Sequence, residues 1–357
     1  MGNITHYFLG ANSGQGFRNL FHRFCEEDCH FDLMVLKGGP GAGKSTLMRK
    51  IGKAMEGKGE DVEYFYCSGD PDSLDGVYIP RIRTAVLDGT SPHVIEPRYP
   101  AAVERYVNLG QFYDIAAAKN AREEIIQHTN FCSDAYRRAY RALSAAAQME
   151  ESAYGLLIEG FDNEKLMRRT EGIITREIRG KGSGAKTQYR FMGSVTHKGD
   201  ICRYDTVERI CPKVYQIHDS YGFADPMLQK ILYAAQGRNY GTVVCPDPEH
   251  MERVVHLLIP ELGVAFLTIK GNTKCSYASY RRVHVDAMVS QTDRKHWKGR
   301  LSFLRKMAQT LRDEGIVTLK EAKVAHDALE EVYRSHVDFA GLDQLAAEEI
   351  SRIDSYR

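Results

Sequence analysis

Twelve residues, Val35-Leu36-Lys37-Gly38-Gly39-Pro40-Gly41-Ala42-Gly43-Lys44-Ser45-Thr46, combine the residue types and the spacing that hold a chain of phosphates. From Gly38 to Ser45 they fit the pattern G-x-x-x-x-G-K-[ST]. A polyphosphate needs several main-chain N–H groups turned inward, and glycines permit the dihedrals and the close approach. The binding set is therefore Gly38, Gly39, Pro40, Gly41, Ala42, Gly43, Lys44, Ser45 and Thr46. Lys44 is expected on the β- and γ-phosphates, and the Ser45 hydroxyl on Mg²⁺. The apolar run Phe31-Asp32-Leu33-Met34-Val35-Leu36 reads as a buried parallel strand, and Thr46 to Ile51 has helical spacing. Strand, glycine loop and helix thus stand in the order the chemistry needs, with the helix dipole aimed at the anion.

Phosphoryl chemistry also needs an acid near the metal, commonly at the end of a second apolar strand. Ala85-Val86-Leu87-Asp88 supplies it, making Ser45 and Asp88 the expected metal pair. Gly89 follows, so no glutamate adjoins the acid. A further group must orient water or an acceptor hydroxyl. The candidates are His93 and the acids Asp70, Asp72 and Asp75, read as a loop after the strand ending at Cys67. Asp70-Pro71-Asp72 also fits an Asx turn. Arg168 and Arg169 are candidate charge-stabilising arginines, although most arginines on such helices are solvated or paired. His22, Cys25, Cys29 and His30 have metal-compatible spacing, but Phe17, Leu20, Phe21 and Phe24 make that segment an ordinary amphipathic helix, expected over 17–27.

The elements that position these groups occur twice. Tyr189-Arg190-Phe191-Met192-Gly193 echoes His6-Tyr7-Phe8-Leu9-Gly10; Val243-Val244-Cys245 echoes Phe65-Tyr66-Cys67; Val264 to Leu267 echoes Thr84 to Leu87. The matches lie roughly 180 residues apart, a domain-scale duplication. The expected class is α/β: two tandem P-loop NTPase-like domains with mostly parallel sheets, over residues 1–180 and 187–357, each with a helical extension. The first extension is expected over about 105–180. In the second, a stripe from Trp297 to Leu311 should end near Gly315, and Thr318-Leu319-Lys320-Glu321 should cap a new helix. Arg179 to Lys186 reads as a flexible linker. In the second copy Asp225 replaces Lys44, Pro226 replaces Ser45 and Thr268 replaces Asp88, so its phosphate grip is expected to be lost.

Across 357 residues the formal net charge is +1, which gives no bulk field for nucleic acid. The longest apolar runs are strand-sized, and the polar start carries no signal peptide, so a cytoplasmic protein without a membrane partner is expected. Eight cysteines without a C-x-x-C pair agree with reduced thiols, Cys67 and Cys245 among them in strand contexts.

The loop Lys37 to Thr46, together with Asp72-Ser73-Leu74-Asp75-Gly76 and Asp88-Gly89-Thr90-Ser91-Pro92-His93-Val94-Ile95-Glu96-Pro97, resembles a bacterial family of tandem P-loop ATPases. The resemblance spans nearly the whole chain and implies ATP binding and hydrolysis. In that family the second half generally has its own phosphate loop, which is missing here. Three functions follow as expectations: an ATPase with a degenerate second half as scaffold or regulator, a kinase serving a small acceptor, or a nucleotide-gated binding protein. A nucleoside triphosphate is the expected ligand, with an acceptor or protein partner left open.

Overall fold

A computed structural model describes residues 2–27, 30–270 and 277–357. Cys29 of the His22-to-His30 group, and Cys275, lie outside the described residues. The first half runs β1 (Ile4–Phe8), β2 (Gly10–Ser13), β3 (Gly16–Asn19), α1 (Phe21–Glu26), β4 (Asp32–Lys37), α2 (Lys44–Gly57), β5 (Val62–Tyr66), β6 (Leu74–Ile79), β7 (Thr84–Asp88) and β8 (Glu104–Asn108). Three helices follow: α3 (Ile115–Asn120), α4 (Arg122–Leu157) and α5 (Asn163–Glu177). The second half runs β9 (Thr187–Tyr189), β10 (Gly193–Thr196), β11 (Gly199–Cys202), α6 (Tyr204–Ile210), β12 (Lys213–His218), α7 (Asp225–Gln236), β13 (Thr242–Pro246), β14 (Val254–Ile259), β15 (Val264–Ile269) and β16 (Arg281–His284). It ends in α8 (Gln291–His296), α9 (Lys298–Arg334) and α10 (Phe339–Asp354).

Two six-stranded sheets have one and the same plan. The first is ordered β1-β5-β6-β7-β4-β8 and the second β9-β13-β14-β15-β12-β16. Pairing is parallel except around β6 and β14, which run against both neighbours. The central strands are apolar on both faces, as in Leu33 to Leu36 and Val264 to Leu267, because helices cover them. The halves meet at equivalent residues: Phe8 and Phe191 exchange N–H···O bonds of 2.9 Å in both directions.

The helical arms cross over. Leu342, Ala346 and Ile353 of α10 are buried with Leu47, Met48 and Ile51 of α2, in the first half's core. Leu166 and Ile173 of α5 are buried with Leu228 and Ile231 of α7, in the second. Charges follow the same exchange. Arg105 on β8 donates to Asp32 on β4 at 3.1 Å and to Glu349 on α10 at 2.6 Å, while Lys230 on α7 meets Glu171 on α5 at 2.8 Å.

Several local expectations are corrected. Residues 16–19 form β3, so the first helix spans only Phe21–Glu26. Phe21 and Phe24 are buried, while His22 faces solvent and His30 Nε2 lies 2.6 Å from the Phe24 carbonyl. The first arm begins in strand, β8, before its helices. The stripe after Trp297 does not stop at Gly315, because α9 is one helix of 37 residues. Gly315 lies where antiparallel α4 and α9 touch: a Cβ there would come 2.8 Å from Leu143 Cδ2. Thr318 caps nothing, since its hydroxyl donates to the Glu314 carbonyl one turn back at 3.0 Å. The linker segment is tied down, with Gly182 and Gly184 donating to the carbonyls of Arg238 and Asn239. Cys245 is fully buried and Cys67 partly so, and burial pushes both thiols up. No helix among the described residues is long and apolar enough to cross a membrane.

Candidate functional site

Residues 38–43 leave the end of β4 and turn directly into α2. Gly41 (φ 71°) and Gly43 (φ 79°) take left-handed backbone, Gly43 being the residue before the helix. That conformation favours glycine and turns the first amides of α2 toward one point. Among the described residues, no internal acceptor meets the N–H groups of Gly41, Gly43, Lys44 or Ser45. Lys44 folds back over the loop, its Nζ donating to the carbonyls of Gly38 at 2.6 Å and Gly39 at 2.8 Å. The same Nζ lies 3.6 Å from Asp88 Oδ2, at the end of neighbouring β7. Ser45 Oγ accepts from the Leu74 N–H at 2.9 Å, which ties the start of α2 to β6.

Asp88 belongs to a buried group. Asp75, Asp88 and His93 offer ligand atoms all within 4.8 Å of one another, and they are only 3%, 8% and 7% exposed. Such burial of ionisable side chains is rare without a partner. His93 Nε2 lies 3.2 Å from Asp75 Oδ2. Burial pushes the His93 imidazolium down, but the Asp75 carboxylate, and then that of Asp88, more than offset it, so its pKa is raised. Phe17 and Phe21 wall the ring, with centroids 5.0 and 4.7 Å away. Asp88 Oδ1 accepts from the Thr90 N–H at 2.8 Å, leaving Oδ2 toward Lys44.

The structure thus brings Lys44, Asp88, His93 and Asp75 together at the carboxyl edge of the first sheet. Asp75 is a residue of strand β6, not of a loop. Asp70 stands apart from the group. Its carboxylate closes an Asx turn, accepting from Ser73 Oγ at 2.9 Å and the Asp72 N–H at 3.2 Å, with Lys323 of α9 3.5 Å away. Asp72 pairs with Lys198 at the surface. Arg168 and Arg169 are exposed on α5, which packs on the second core; Arg168 pairs with Glu164 at 3.3 Å. Gly89 admits no acid, since a Cβ there would lie 2.2 Å from Val35 Cγ1.

The second loop is filled from within. Asp219, in the place of Gly38, is buried, and its carboxylate accepts from the N–H groups of Tyr221 (3.2 Å), Gly222 (2.9 Å) and Ala224 (2.7 Å). Burial raises its pKa against the opposing pull of these amides. Asp225, in the place of Lys44, accepts from the Val254 N–H at 2.7 Å. Sequence reasoning missed Asp219, although the register that sets Lys44 against Asp225 also sets Gly38 against Asp219. It missed Tyr113 and the α9–α10 turn at the first loop as well, because nothing local in the sequence says which core a distant arm joins.

A family model described as Nephrocystin 3, N-terminal matches residues 17–153, less than half of the chain but including the loop, β7 and the start of the first arm. No curated protein and no solved structure matches. The match is a similarity over the first half alone, and the resemblance to tandem bacterial ATPases rests on its motifs.

Proposed function

We propose that the chain is a Mg²⁺-dependent NTPase that binds ATP at Gly38–Thr46 and hydrolyses it, with the second half as scaffold or regulator. The observation carrying this reading is the contrast between the two loops. The first has glycines, amides without internal acceptors and a lysine facing an aspartate; in the second, amides at the equivalent turn are satisfied by Asp219. Lys44 is the cation for the terminal phosphates, and the loop amides hold the chain. Ser45 and Asp88 would hold Mg²⁺. The donor set fits a hard cation: a hydroxyl and a carboxylate, with a second buried carboxylate, Asp75, close by. A divalent cation held there would offset the negative charge of the polyphosphate. Asp75 and His93 are the groups able to orient water beside that centre, with the His93 ring packed against Phe17 and Phe21.

Titration calorimetry with MgATP and the fate of labelled γ-phosphate test the reading together. Lys44→Ala should abolish binding or turnover, whereas Asp225→Ala should leave ATP binding nearly intact. Asp88→Asn should lower kcat by roughly 100-fold or more while changing affinity much less. Release of free phosphate supports hydrolysis. Transfer to a metabolite would make the chain a kinase, and binding without turnover a gated binding protein. Absence of binding to any nucleoside triphosphate would remove the assignment.

A further inference from the structure

Beside the glycine loop, the two halves line an open, mostly polar cleft of about 400 Å³. One wall is Gln111–Asp114, which follows β8; the other is Ser335–Asp338, the turn from α9 to α10. Main-chain bonds clamp the walls: the Asp114 N–H donates to the His336 carbonyl at 2.8 Å, and the Asp338 N–H to the Phe112 carbonyl at 2.9 Å. Tyr113 joins cleft to loop, its hydroxyl donating to the Pro40 carbonyl at 3.0 Å and its ring lying 5.3 Å from that of Tyr333.

The sheet fixes the direction in which a ligand would extend. Strand β4 lies between β7 and β8. A triphosphate whose terminal end faces Asp88 on β7 directs its nucleoside across the loop, toward β8, along the carboxyl edge. The cleft is on that side, and its size is within the range of about 300–1,000 Å³ usual for small-ligand sites. Gln111 offers a carboxamide, which suits a purine edge, and Tyr113 an aromatic face. At the equivalent crossing in the second half the clamp persists, with the Asp162 N–H bonded to the Met288 carbonyl at 3.0 Å and the Ser290 N–H to the Gly160 carbonyl at 2.8 Å. There, Phe161 stacks on Phe223, with centroids 4.3 Å apart, and Asp293 crowds Gly160.

We propose that this cleft receives the purine base and ribose of the nucleotide, so that the second half completes the first half's site. The proposal rests on the loop being a nucleotide site. The test is calorimetry of the full chain with MgATP, MgGTP and magnesium tripolyphosphate. Gln111→Ala and His336→Ala change side chains only, and the clamp is main-chain. Each variant should weaken ATP about tenfold or more while tripolyphosphate affinity stays within about twofold; Lys44→Ala should weaken both ligands. If both cleft variants bind ATP as the wild type does, or lose ATP and tripolyphosphate alike, the base site is overturned and the loop reading stands. If the wild type binds neither ligand, both fall. Photolabelling with 8-azido-ATP should mark residues 111–114 or 335–338, and labelling confined to other peptides overturns the cleft.

Discussion

At the scale of single residues, two positions decide what the first site is able to do. Gly89 follows the strand-ending acid, and its Cα faces Val35 closely enough that no carboxylate fits there. The second acid comes instead from Asp75, on the antiparallel strand next to β7. Gly89→Glu is therefore expected to destabilise the fold by about 2–4 kcal/mol rather than to accelerate turnover. Thermal melting and phosphate release measured on the same sample would check this, and faster phosphate release at an unchanged melting temperature would refute it. The glycine loop was legible in the sequence because its constraint is local: Gly41 and Gly43 take left-handed backbone directly before a helix. Asp75 was not legible as a strand residue because Asp-Ser-Leu-Asp-Gly reads as turn chemistry, and Asp75 itself falls at the register shift between β5 and β6.

Among the elements, α4 and α9 show how little a local stop signal weighs against packing. Gly315 costs a helix about 1 kcal/mol relative to alanine, yet α9 runs through it because α4 comes close at that point. Replacement by valine should drive a branched side chain into Leu143 and lower stability by about 1–3 kcal/mol. Urea denaturation would show a smaller midpoint at similar slope; a midpoint at or above the wild-type value would mean that the contact is loose. Strand β8 was hidden for a different reason. It is a short edge strand carrying Glu104 and Arg105, and an edge strand need not be apolar. Strands β4 and β7 were legible from their continuous apolar runs, whereas the partner of each long helix was not, since an alanine-rich stripe fits any close neighbour.

For the whole molecule, the exchange of α5 and α10 means that neither sheet has its full covering from its own half. Leu166→Ala loosens a first-half helix on the second core, and Leu342→Ala a second-half helix on the first. Each is expected to cost about 2–5 kcal/mol, and calorimetric melting should stay a single transition shifted downward in both variants. Two separate transitions, with only one moved, would show that the halves melt independently. The contact of Phe8 with Phe191 carries a last implication. A patch whose members touch their own counterparts is the kind that two identical chains present to each other about a rotation axis. Housing both copies on one strand of peptide keeps that symmetry in the framework and removes it as a requirement on chemistry. One copy can then carry a buried carboxylate, Asp219, where the other carries Gly38, and the assembly is unchanged.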